Sequence, residues 1–193
     1  MGPGHPECPQ RLDAIKDRLL TTGVLDGLER IDAPQAALSD VELAHDRMHV
    51  AALRGLTDRL VEEQAAGGPE YTQLDTDTSI NSHTLTAALH AAGAAVAASD
   101  AVIDGSLENA FCAIRPPGHH ATREKAMGFC FFNNVAIAAL HALDRRNLKR
   151  VAIIDFDVHH GNGTEDILAG DERVLMVSFF QHPFYPFSGD KEP

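Results

Sequence analysis

The order of segments predicts an α/β fold built on a mainly parallel sheet, and three observations carry that expectation. Stretches with apolar residues at helical spacing alternate along the chain with short apolar runs. Those runs, ENAFCAIR (108–115), KRVAIIDFDV (149–158) and RVLMVSFF (173–180), are continuous rather than alternating, as strands covered on both faces are. The 193 residues, 44% of them hydrophobic, suffice for one domain with a core of its own, spanning 1–193.

The elements follow in order. After a Gly/Pro-rich opening, PQRLDAIKDRLL (9–20) places Leu12, Ile15 and Leu19 at helical spacing, with Pro9 suited to a first turn. HVAALRGLTDRLVEEQAA (49–66) predicts a second helix, stopped by Gly67-Gly68-Pro69. EYTQLDTDTSINS (70–82) reads as a polar loop, and Ser82 is placed to cap a helix running to Ile103. The strand at 108–115 leads into the turn PPGHHATREKAMG, and FCFFNNVAIAALHAL (129–143) enters a further helix. The strand at 149–158, a helical turn at TEDILAG (164–170) and the strand at 173–180 close the order. There is no internal repeat or linker, and the chain stops at SGDKEP soon after a strand, so the expectation is a domain incomplete at both ends.

Composition excludes several classes of function. Counting 28 acidic against 16 basic residues gives a net charge of −12, which argues against a nucleic-acid partner. The three cysteines, Cys8, Cys112 and Cys130, are odd in number and form no C-x-x-C pair. A disulfide framework and a Cys-rich zinc site are therefore not expected, and a reducing, cytoplasmic setting is. MGPGHPECPQ lacks the basic and apolar regions of a signal peptide. No run approaches the ~18 apolar residues of a membrane span. AALHAAGAAVAASDAV (87–102) is mostly Ala and carries His and Asp, as in a tightly packed helix of a soluble protein.

The chemistry is concentrated in RVAIIDFDVHHGNGTED (150–166). If the extended conformation persists, Asp155, Asp157 and His159 share one face at the C-terminal end of a strand, where open α/β sheets bind ligands. Such groups repel and lose hydration unless a cation joins them. A carboxylate with an imidazole suits Zn²⁺, with Fe²⁺ or Mn²⁺ as the other metals these donors take. The competing reading is a polar strand end bonded to loop backbone. A second cluster, RPPGHH (115–120), ends the preceding strand, and Pro116, Pro117 and Gly118 stiffen the turn that presents His119 and His120. Adjacent histidines point in different directions, which fits one acid–base group and one supporting partner. GNGTED (161–166) lacks the third Gly and the Lys of phosphate loops, and Glu165 and Asp166 would repel phosphate, so nucleotide binding is excluded. His45 and His49 have the i, i+4 spacing of a helical metal pair but no third ligand; for them, as for His83, His90 and His141, solvent or core roles are expected. His160 points away from His159 and reads as structural.

With HPECPQR (5–11), RPPGHHA, GFCFFNN and DFDVHHGNGT in this order, the chain resembles the zinc-dependent histone deacetylase family. That family includes bacterial histone deacetylase-like amidohydrolases and acetylpolyamine amidohydrolases, on an arginase-like three-layer α/β fold. Asn162 and the RPPGHHA form resemble the class II and bacterial members. The resemblance implies Asp157 and His159 as zinc ligands, His120 as general base and acid oriented by Asn162, and His119 as its neighbour bonded to Asp155. It implies a structural K⁺ at Asp155, Asp157, His159, Ser178 and the backbone of Phe179. It further implies Phe129 and Tyr185 (in HPFYPFSGD) as walls of an acyl-lysine tunnel, with Gly128 as a backbone contact beside it. Asp75, with Asp77 as the competing candidate, would grip the substrate backbone, and Arg11 would line the exit for released acetate.

Family members carry a third zinc ligand, an Asp, and a Gly-rich segment with a carbonyl-polarising Tyr or His. Both are expected beyond residue 193, and the family's first strand before Met1. The expected function is hydrolysis of acetyl-lysine or an acetylated polyamine to acetate and free amine, with no nucleic-acid or membrane partner. The alternative is a catalytically incompetent fragment that binds an acylated ligand or a partner without turnover, since two ligands hold zinc weakly. An arginase-like manganese hydrolase would show further carboxylates in D-x-x-x-D-type loops, where this chain has HHGNG.

Overall fold

The computed structural model describes residues 1–2 and 4–190. Helix α1 (Gln10–Thr21) begins directly after Pro9, and its Leu12, Ile15 and Leu19 stripe is half-buried. A 3₁₀ turn, Val24–Gly27, follows. Helix α2 (Leu38–Ala44) is an element that hydrophobic spacing does not predict, because seven residues are too few to show a period. His45 and Asp46, both extended, break the chain between α2 and helix α3 (Arg47–Ala65). Asp46 caps α3 by accepting the Met48 N–H at 2.6 Å. The helix buries Val50, Leu53, Thr57 and Leu60 along one face.

The polar segment 70–82 holds a small antiparallel hairpin, β1 (Thr72–Gln73) with β2 (Ser79–Ile80). Helix α4 (Thr84–Ile103) has His83 at its N-cap and no side-chain cap bond among the described residues, so Ser82 does not cap it. The Asn81 Oδ1 accepts the His83 N–H at 3.0 Å and the Thr84 hydroxyl at 2.9 Å, a side-chain turn that leads into the helix. Against the expectation from composition, α4 is long and apolar enough to cross a membrane, the one such helix among the described residues. Here it packs on helix α5 (Asn134–Asp144) and buries Ala88, Ala91, Ala92 and Gly93. Helix α5 is capped by Asn133 and is buried over most of its length. Strand β3 (Val151–Asp155), helix α6 (Asn162–Leu168) and strand β4 (Val174–Ser178) complete the order.

The two long strands are parallel, in a register from Val151↔Val174 to Asp155↔Ser178. One apolar core joins Val41, Leu53, Leu60, Phe132, Ile137 and Ile153. Two strand expectations change. Residues 108–115 half-bury Cys112 and Ile114 in alternation but form no ladder, because a strand needs a hydrogen-bonded partner and none of the described residues supplies one. The β3 strand ends at Asp155 rather than continuing to 158, because the acidic side chains there bond the backbone and turn it. Only one face of the β3–β4 pair is covered among the described residues; Ile154 and Leu175 on the other are more than half exposed.

Candidate active site

The chain leaves β3 through two successive side-chain turns. The Asp157 N–H donates to Asp155 Oδ1 at 3.1 Å, and the His159 N–H donates to Asp157 Oδ1 at 2.7 Å. The three residues therefore gather through turns, where the sequence predicts alignment by strand alternation. Loop 115–121 meets this strand end. The His119 Nδ1–H donates to Asp155 Oδ2 at 2.9 Å, and the His120 Nδ1–H donates to Asn162 Oδ1 at 2.8 Å, from the first residue of α6. The two rings lie 4.0 Å apart between centroids.

These contacts define the protonation states. With Nδ1 donating to an amide oxygen, the neutral His120 ring leaves Nε2 as a free acceptor. Burial, then the neighbouring His119, lowers the His120 pKa to about 4, so the ring is neutral at pH 7. Burial raises the Asp155 carboxyl, but the His119 bond and charge outweigh it and hold the group below the usual carboxylate range. Gly161 passes so close above Asp155 that a Cβ there would meet Oδ2 at 2.4 Å.

Asp157 and His159 are the open side of the cluster. The His159 Nδ1 lies 2.9 Å from Asp157 Oδ1, and the His119 Nε2 is 4.0 Å from the same oxygen. A carboxylate and an imidazole converging at this distance have the donor chemistry of a zinc site, but among the described residues no group of three such ligands forms. Below them, Ser178 pairs with Asp155 in the sheet register, and its buried Oγ has no hydrogen-bond partner among the described residues. An orphaned hydroxyl beside a carboxylate fits an oxygen-liganded cation such as K⁺. The Phe179 N–H donates to the Asp155 carbonyl at 2.8 Å, while its ring is exposed.

The remaining expected residues surround His120. Gly128 has φ +55° and lies against the imidazole; a Cβ there would come within 2.5 Å of His120 Cδ2. Phe129 donates its N–H to Thr78 Oγ1 at 3.0 Å and packs edge-on to His5. Tyr185 stands edge-on to His120, with centroids 4.9 Å apart; burial, then the Asp77 and Asp75 carboxylates, raises its pKa. Asp75 Oδ1 accepts the N–H groups of Asp77 and Thr78, at 3.0 and 2.7 Å, so it shapes the hairpin turn, and Asp77 bonds the Thr78 hydroxyl. Arg11 pairs with the buried Glu7, which also holds Arg115 Nε at 2.6 Å. The nearby cavity, about 490 Å³, is walled by Glu7, Tyr71, Arg115 and Phe131, and Arg11 stands outside its lining.

Three residues near the site escape sequence reasoning. Thr78 is fully buried behind Phe129, Met127 receives the Asn162 amide at 3.6 Å through its sulfur, and Glu7 pairs with the guanidinium groups of both Arg11 and Arg115. Only Glu7 carries a signal, as a carboxylate inside HPECPQR. His45 and His49 are buried, as a core role requires, His45 in the α2–α3 break and His49 in the first turn of α3. His160 is buried, with Nδ1 3.0 Å from the Ser188 hydroxyl.

An α/β chain with two oriented histidines beside a carboxylate–imidazole pair at its strand ends has the outline of the amidohydrolase class. The chain belongs to the histone deacetylase family: the model of the Histone deacetylase domain matches residues 5–193. A probable deacetylase of Archaeoglobus fulgidus is 40% identical over 193 residues, covering 98% of this chain and 50% of that protein. A histone deacetylase-like amidohydrolase of Pseudomonas aeruginosa is 37% identical, covering 98% and 48%. The crystal structure of the HDA15 HD domain superposes with a TM-score of 0.86 at 38% identity, covering 96% of this chain and 52% of that one. The likeness establishes the deacetylase-like α/β fold. The chain spans half or less of the length of the curated relatives it matches here.

Proposed function

We propose that the chain provides the acid–base half of a zinc-dependent deacetylase site acting on acetyl-lysine or an acetylated polyamine. The observation that carries this reading is the pair of oriented histidines: His120 on Asn162 and His119 on Asp155, beside Asp157 and His159. Asp157 and His159 would hold zinc, which supplies Lewis-acid polarisation of the acyl carbonyl when bound. The free Nε2 of His120 takes the proton of the attacking water and returns it to the leaving amine. Asn162 keeps that nitrogen unprotonated at rest, and His119 with Asp155 fixes the ring beside it. Phe129 and Tyr185 flank the acyl chain, with Gly128 leaving room at the imidazole. Asp75 or Asp77 faces the substrate backbone, and Asp155 with Ser178 holds K⁺.

Acetate release from an acetyl-lysine peptide and from an acetylated polyamine, at measured zinc content, tests the proposal. His120→Ala is expected to lower kcat/KM by about 10²–10⁴-fold, and His159→Ala to lower the zinc bound per chain. A second reading rests on the two-ligand count: an acyl-ligand binder without turnover. Substoichiometric zinc with no acetate released from either substrate would overturn the first reading.

A further inference from the structure

Beneath the paired histidines lies a buried polar network built on Asn133, which is wholly buried. Its Nδ2 donates to the Ala121 carbonyl and to Thr164 Oγ1, both at 3.2 Å, and its Oδ1 accepts the Ala136 N–H at 3.1 Å. Its own N–H donates to His45 Nε2 at 2.8 Å. The His45 Nδ1 must then carry the ring proton; it has no partner of good geometry among the described residues and faces the backbone of Thr122 and Arg123. Thr164, also wholly buried, lies two residues beyond Asn162 on α6. The N–H groups of Gly163 and Thr164 both donate to the His119 carbonyl, at 3.0 and 3.1 Å. A Cβ at Gly163 would sit 2.3 Å from the Ala121 carbonyl oxygen, so α6 lies directly on the histidine loop.

The network thus ties together the α2–α3 junction, the loop carrying His120 and the helix carrying Asn162. We infer that Asn133, acting with Thr164 and His45, is a positioning residue for His120: it holds loop 119–121 against α6 so that the Nδ1–H of His120 stays on Asn162. The inference rests on the reading of His120 as the acid–base group. Apolar side chains of the same size would fill this space, but they would not select one relative placement of the loop and the helix. Buried donors and acceptors do, because any other placement leaves them unpaired. Capping α5 uses only the Asn133 Oδ1; its two amide donors point instead at the loop and at α6.

The test uses the full chain with ¹⁵N-labelled histidine, at pH 7.5. The wild type is expected to show His120 as a single tautomer, protonated at Nδ1 and bare at Nε2. Thr164→Val keeps the side-chain volume and removes the hydroxyl; the two His120 nitrogen shifts should converge while helix content is unchanged. Thr164→Ser should restore the wild-type signature. Should Thr164→Val not fold, Asn133→Asp keeps the Ala136 cap and can still accept the Thr164 hydroxyl, but it loses the donor to the Ala121 carbonyl and should show the same convergence. A folded Thr164→Val or Asn133→Asp protein with the wild-type signature, or a wild type without a single tautomer, would overturn the inference. The readout does not involve turnover, so absence of acetate release would count against the deacetylase reading alone.

Discussion

Gly128 lies flat on the His120 ring at φ +55°, and the separation leaves no room for a Cβ, which would stand 2.5 Å from Cδ2. Gly128→Ala therefore combines a left-handed backbone with a clash against the group bonded to Asn162. A cost of about 1–3 kcal/mol is expected in urea unfolding, together with, on the proposed deacetylase reading, a fall in acetate release larger than the loss of folded protein explains. Unchanged stability and turnover would show that the loop yields freely. The need for glycine here is not visible in GFCFFNN by itself, because the clash comes from His120, well outside that segment. The identity of the site residues is more legible. Two histidines and two aspartates at predicted strand ends are costly to bury unless they pair, and Asp155 with His119 does pair. The buried Thr78 has no comparable signal, since a single Thr in a polar loop shows neither period nor charge pattern.

At the scale of elements, helices are legible wherever an apolar period runs for several turns, as in α1, α3, α4 and α5. The seven-residue α2 is not, and the 108–115 strand depends on a ladder partner that local sequence does not name. The α2–α3 break yields a prediction of its own. Burial, then the neighbouring His49, lowers His45 to about 3, while the unfolded side chain titrates near 6.5. Below pH 6.5 the unfolded chain takes up a proton that the fold does not, so stability present above that pH is lost as pH falls towards 3. His49, lowered chiefly by burial, acts in the same direction. Between pH 7.5 and pH 4.5 the His45 share is about 2–3 kcal/mol. Urea unfolding of His45→Gln should show a correspondingly smaller loss over that interval. An equal loss in both proteins would mean that His45 already carries a proton in the folded chain.

At the scale of the molecule, the β3–β4 pair departs most from what a parallel sheet implies. Such sheets occur with both faces covered, and the continuous apolar runs of both strands are written for that environment. Val151, Ile153 and Val174 meet the core, whereas Ile154, Leu175 and Phe179 on the other side are 64%, 62% and 63% exposed among the described residues. Ile154 pairs with Val177 and Ala152 with Leu175, so the outward residues form one contiguous patch rather than scattered points. A patch of that kind attracts apolar dyes and promotes association as salt is raised. The folded chain is expected to enhance the fluorescence of anilinonaphthalene sulfonate at pH 7.5. The double substitution Ile154→Lys with Leu175→Lys should remove most of that emission while shifting unfolding stability by no more than about 1 kcal/mol, because neither side chain touches the core. Emission that survives the double substitution would place the dye elsewhere, whereas a large loss of stability would mean that this face is already covered in solution.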